Sequence, residues 1–126
     1  EELNDYKFFC CYGRPFLLQV DIDRRNAHKR NIYEIKNKGK EYILLNLKLH
    51  NYELDNRFKL CEINHAYNLA SLLSENFEFI RVDLYILNGT VYFGELTNVP
   101  GSGFEKFNPE IYDRHILELF NLAKSK

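Results

Sequence analysis

A chain of 126 residues is long enough for one compact domain and too short for two ordinary ones. Apolar side chains make up 45% of it, with Tyr 9 and Phe 10, which excludes wholesale disorder. Lys and Arg number 17 against 18 Asp and Glu, for a net charge of −1; no basic field points to nucleic acid and no acidic tail to a solvating role.

Residues 6–12 and 16–22 are rich in aromatic and branched side chains, and Gly13, Arg14 and Pro15 lie between them. That pattern predicts a first hairpin whose turn is supplied by Gly and Pro. Cys10 and Cys11 are neighbours on one strand, so they point to opposite faces and cannot share an ion. With Cys61 they make an odd set without C-x-x-C spacing, against both a disulfide framework and a zinc site. A reducing cytoplasmic setting is the expectation. Residues 23–31 are polar and strongly basic, which predicts a loop or sheet rim. Residues 37–40, Asn-Lys-Gly-Lys, mark another turn. Over 42–49, leucines at 45, 47 and 49 alternate with Asn46 and Lys48, the pattern of a half-buried strand. No period is readable over 50–60.

Ile63, Ala66, Leu69, Ala70 and Leu73 fall at helical spacing, predicting a helix over 62–75 that Asn76 ends by going left-handed. The segment 79–98 reads as a second hairpin. Asn108, Pro109 and Glu110 then form a helix start, with Tyr112, Ile116, Leu119, Phe120 and Ala123 as its apolar stripe. The fold class expected is α+β: four or five strands in an antiparallel sheet with two helices on one face, as a single domain over 1–126. No apolar run approaches the roughly 20 residues that span a bilayer, and no signal peptide is visible. The chain lacks Met even at its first position, so a processed chain or a fragment is expected.

The segment FIRVDLYILNGTVYFGELTNVPGSGF over 79–104 carries the chemistry. Asp83 lies on its first strand and Glu95 on its second, and a Pro-Gly-Ser-Gly loop follows. Two carboxylates on facing strands beside a glycine-rich loop can cradle a divalent cation and the phosphates it bridges. Whether they share a face depends on the turn. A two-residue Asn88-Gly89 turn pairs Leu87 with Thr90 and throws Asp83 and Glu95 to opposite faces. A three-residue loop pairs Ile86 with Thr90, Arg81 with Glu95 and Asp83 with Phe93. It gathers Arg81, Asp83, Glu95 and Thr97 on one face while Asn98 points away. The three-residue loop is expected, because burying an unpaired carboxylate costs more than any preference between turns. A plainer alternative makes Arg81 and Glu95 a surface ion pair and leaves Asp83 solvated. The glycine loop, longer than a connection requires, weighs toward a site.

RVDLYILNGTVYFGELTNVPGSG resembles the C-terminal signature of ATP-grasp enzymes, in which an R-[VI]-D strand, a glycine turn and an E-x-N-x-x-P-G segment recur. D-alanine–D-alanine ligases carry that pattern, and the nearer resemblance is to the TupA-like ATP-grasp family. The likeness extends to DYKFFCCYGRPFLLQVDIDR, RVDLY, YFGELT and PGSGFEKFNPEIYD, most of the chain apart from about 34–60. That family is linked to bacterial cell-surface polysaccharide and teichuronopeptide synthesis and is sometimes labelled glycosyltransferase. The resemblance implies the C-terminal lobe of an ATP-grasp ligase using ATP and Mg2+. Asp83 and Glu95 would be magnesium ligands and Arg81 would steady a transferred phosphoryl group. Gly101 and Ser102 would hold the second substrate or an oxyanion, and Asp5 lies near a ribose contact. Thr97 stands where the pattern has Asn, a weaker hard-oxygen ligand of shorter reach. The implied substrates are an acidic sugar or amino acid, and a further ATP-grasp lobe would complete the clamp.

Outside the hairpin, Arg24, Arg25, His28, Lys29 and Arg30 either grip phosphates or an acidic sugar, or form a solvated basic loop. Lys7 either faces nucleotide or snorkels to solvent. His50, His65 and His115 have no ligand spacing, and Glu105 and Lys106 belong to a lid or to an ordinary polar loop. Two rivals to the ligase stand: a sugar transferase using the same carboxylates, and a truncated domain that only binds a partner.

Overall fold

The computed structural model describes residues 4–22, 29–45 and 60–98. Among them six strands form one antiparallel sheet: β1 (Asp5–Cys11), β2 (Arg14–Ile22), β3 (Lys29–Lys36), β4 (Glu41–Leu44), β5 (Ile80–Leu87) and β6 (Thr90–Asn98). The spatial order is β4-β3-β2-β1-β5-β6. Helix α1 (Leu60–Leu73) lies across one face. The antiparallel α+β class is the expected one. The second expected helix, over 108–123, lies outside the described residues. No helix among them is long and apolar enough to cross a membrane.

Period-two alternation decides which side chains meet α1. Tyr6, Phe8 and Cys10 of β1, Leu18 and Val20 of β2, Tyr33 of β3, and Ile80, Val82 and Leu84 of β5 form one buried cluster with Ile63, Ala66 and Ala70. The two small alanines let the helix axis come close to the sheet. Each large side chain buried this way stabilises the fold by about 1.5–3 kcal/mol before chain entropy is charged against it. Cys10 sits in that cluster and Cys11 outside it, both as buried free thiols, as their adjacency dictates.

The sheet has six strands among the described residues where four or five were expected, and three further expectations are corrected. The first turn is Tyr12 and Gly13, at φ 44 and φ 80, a two-residue turn matched to strand twist, while Arg14 and Pro15 open β2. Pro15 pairs with Cys10 ahead of the segment that β3 pairs, where a missing N–H is tolerated. The basic stretch is not all loop, because Lys29, Arg30 and Asn31 begin β3. Asn31 is fully buried beside Val20, and its Nδ2 donates to the Tyr33 hydroxyl at 3.3 Å. Strand β4 covers Glu41–Leu44, and just past it Leu45 donates its N–H to the Ile32 carbonyl; residues 46–49 of the expected strand lie outside those described.

Helix α1 ends at Leu73 without a left-handed Asn76. Its last turn is closed by hydrogen bonds from Ser74 N–H to Ala70 O and from Phe77 N–H to Ser74 O. The β1–β2 turn finishes the cap. Tyr12 N–H donates to Phe77 O, Gly13 N–H to Ser74 O, and the Ser71 hydroxyl to Gly13 O at 2.6 Å. The helix end is thereby tied to the sheet, and its carbonyls find partners that a free terminus leaves to water.

Candidate functional site

On the face away from α1 the odd-numbered residues of β1 come together with their cross-strand neighbours. Register sets Ile32, Gln19, Lys7, Asp83 and Glu95 in one row across β3, β2, β1, β5 and β6. A flanking row holds Glu34, Leu17, Phe9, Arg81 and Thr97, and on the other flank lie Asp21, Asp5 and Tyr85. Polar and charged groups thus cross the middle of the sheet, where strands from both hairpins fix them.

The β5–β6 hairpin does not have the three-residue loop. Asn88 at φ 51 and Gly89 at φ 77 form a two-residue turn, the conformation Asn-Gly favours, and Leu87 pairs with Thr90. An unbroken ladder from that turn would set Asp83 against Gly94 and send Glu95 to the helix side. The ladder breaks instead. Leu84 pairs with Phe93, Asp83 pairs with Glu95, and Gly94 is the extra residue of a β-bulge. The expected pairings of Arg81 with Glu95 and Asp83 with Phe93 are therefore replaced by Arg81 with Thr97 and Asp83 with Glu95. The four side chains still share a face, for a different reason. Glycine is required at the bulge by crowding: a Cβ there would lie 2.9 Å from the Asp83 carbonyl oxygen and 2.8 Å from the Tyr85 ring.

Arg81 occupies the centre of the group. Its Nε donates to Asp83 Oδ1 at 2.7 Å and its Nη2 to Asp83 Oδ2 at 2.9 Å, a two-pronged fork. The same Nη2 donates to Thr97 Oγ1 at 3.3 Å and stands 3.8 Å from Glu95 Oε1. The surface ion pair with Glu95 is thus the weaker contact, and Asp83, 5% exposed, is not solvated. Burial raises the Asp83 carboxyl above its ordinary value; Arg81 and Lys7 oppose that shift and the Glu95 charge adds to it.

Lys7 does not snorkel. Its ammonium lies 2.6 Å from Asp21 Oδ2, and Gln19 Nε2 donates to Asp21 Oδ1 at 2.9 Å. Gln19 and Asp21 were missed by sequence reasoning. Their signal was the alternation Leu18, Gln19, Val20, Asp21, which puts two polar groups on the face opposite α1. Asp5 is buried between Asp21 and Tyr85 in register. Lys29 lies on β3 opposite Ile22, with its side chain outside the described residues, as are Arg25, Gly101 and Ser102 altogether. His65 is exposed on α1 and joins no group of metal ligands among the described residues.

Among the described residues no three His, Cys, Asp or Glu side chains gather as metal ligands. The set here is two carboxylates and a hydroxyl, all hard oxygens, converging on one positive charge. Magnesium is served by such a set, since it keeps several waters and takes one or two carboxylates from the protein. The TupA-like ATPgrasp family model matches residues 1–121 of the chain. Among curated proteins and among solved structures, none matches it.

Proposed function

The chain belongs to the TupA-like ATP-grasp family, and on that premise we propose that its polar sheet face is the metal- and phosphate-handling surface of an ATP-dependent ligase. Asp83, Glu95 and Thr97 would hold Mg2+, which when bound supplies neutralisation of phosphate oxygens during transfer of the ATP γ-phosphoryl group. In such a ligation a carboxylate attacks the γ-phosphorus of ATP, releasing ADP and forming an acyl phosphate, which an amine then captures with release of phosphate. The residues of this chain contribute charge and position to that step. Lys7 presents a point charge beside Asp83, steadied by Asp21. Arg81 presents a planar fork suited to a phosphoryl group. Gly101 and Ser102 would hold the second substrate and Asp5, Arg25 and Lys29 the rest of the nucleotide.

The observation that carries this reading is the convergence of three oxygen donors from β5 and β6 on one cationic centre, with a second cation on β1 alongside. The substrates we infer are an acidic sugar or amino acid and an amine, in assembly of a bacterial cell-surface polysaccharide or teichuronopeptide. Glu95→Gln in the intact protein is expected to abolish ADP release while the thermal melt stays unchanged, because Glu95 is largely exposed. Turnover at the wild-type rate would overturn the ligase reading.

A further inference from the structure

Three candidate metal ligands and one arginine make a closed set: Arg81 touches Asp83 through two hydrogen bonds, Thr97 through one and Glu95 at ion-pair distance. We propose that Arg81 is the resident cation of this site, filling the place between Asp83, Glu95 and Thr97, and that it leaves only when a metal arrives carrying a polyphosphate. The proposal rests on the reading that these three side chains hold the metal.

A carboxylate as buried as Asp83 needs a counter-charge, because losing its water shell without one destabilises the fold. Lys7, its neighbour in register, is committed to Asp21 at 2.6 Å. Arg81 is the cation that takes both Asp83 oxygens, and its planar fork matches a carboxylate in a way an ammonium does not. A free divalent ion must therefore displace a tethered cation and then sit beside it. Like charges a few ångström apart in a partly dry site repel strongly. A metal–nucleotide brings phosphate oxygens along, and these accept the displaced guanidinium. One side chain thus opposes the free ion and favours the loaded one. The site discriminates between magnesium and magnesium–nucleotide, and Arg81 makes the distinction.

Opposite signs separate this role from a merely structural one, which would weaken both equilibria. Mn2+ serves as the probe, followed by electron paramagnetic resonance in the intact protein, alone and then with a non-hydrolysable ATP analogue. Arg81→Gln is expected to bind free Mn2+ at least about tenfold more tightly than wild type and the Mn2+–nucleotide at least about tenfold more weakly, from the charge removed. Unchanged or weaker binding of free Mn2+ by Arg81→Gln overturns the proposal. Adding Glu95→Gln to that variant should erase the gain. A gain that persists would place the metal elsewhere and remove the metal-site reading itself. Should Arg81→Gln fail to fold, the wild-type Nε–H resonance of Arg81 gives the same answer. It is expected to hold its position with Mg2+ alone and to shift with Mg2+ and ADP; a resonance unmoved by both overturns the exchange.

Discussion

On the side covered by α1, Phe8, Leu18, Val20, Val82 and Leu84 are fully buried against small helical residues, whereas on the other side the same strands carry Lys7, Gln19, Asp21, Arg81 and Asp83 in bonded sets. The first surface is fixed by volume and by exclusion of water, which carry no direction. On the second, beside the buried Phe9, Leu17 and Ile32, the charged groups are fixed by pairing, each holding its neighbour at a definite distance. A change on the helix side should therefore act on stability, and a change among the charged groups of the other side on binding. Residues adjacent in the chain then belong to different kinds of chemistry.

The largest expected effect tests the first half of that contrast. Phe8→Ala empties a fully buried position and should cost about 3–5 kcal/mol in urea unfolding. A loss under about 1 kcal/mol would mean that the helix side is not the main source of stability. Gly94→Ala should follow, because its Cβ meets the Asp83 carbonyl oxygen at 2.9 Å and backbone must shift. A loss of about 1–3 kcal/mol is expected, together with loss of Mg2+–nucleotide binding. Retained binding would show that the bulge does not aim Glu95.

Lys7→Ala should reverse the balance between stability and binding. The ion pair with Asp21 is partly exposed and worth about 1 kcal/mol or less to the fold. Loss of a charged donor to phosphate should still weaken Mg2+–nucleotide binding about tenfold, as isothermal titration would read it. The smallest effect at neutral pH comes from the buried protons of the helix side. Burial pushes the Cys10 thiol up from 9.0 to about 12 and the Tyr33 hydroxyl up from 10.0 to about 12. Their native forms hold protons that the unfolded chain gives up. Their contribution is thus complete below pH 9.0 and drains away as pH rises toward about 12. From neutral pH to 9.0 these groups leave denaturation midpoints unchanged, and beyond pH 9.0 the midpoints should fall; a midpoint rising beyond pH 9.0 would reverse the assigned direction.

How much of this was legible varies with the force at work. The helix and the strands of the first hairpin followed from spacing alone, because Ile63, Ala66 and Ala70, or Tyr6, Phe8 and Cys10, report the face that water leaves. Strand β3 was hidden, since Lys29, Arg30 and Asn31 resemble a solvated loop and the burial of Asn31 depends on the Tyr33 hydroxyl. The shared face of Asp83 and Glu95 was reached through the wrong loop. The cost of burying a carboxylate was the correct guide, and what it selected was a bulge rather than a longer turn. Lys7 was underrated because Asp21, its partner, lies 14 positions along the chain, on a strand whose register depends on an irregularity near Phe16.

The bulge also leaves one residue of slack in the β5–β6 ribbon. Excising Gly94 would leave Leu84 against Phe93 and Asp83 against Glu95 in a straight ladder, each side chain keeping its side. Filling the position is thus more disruptive than omitting it. A shortened ribbon could point the same acid the same way, without the local bend that Gly94 allows.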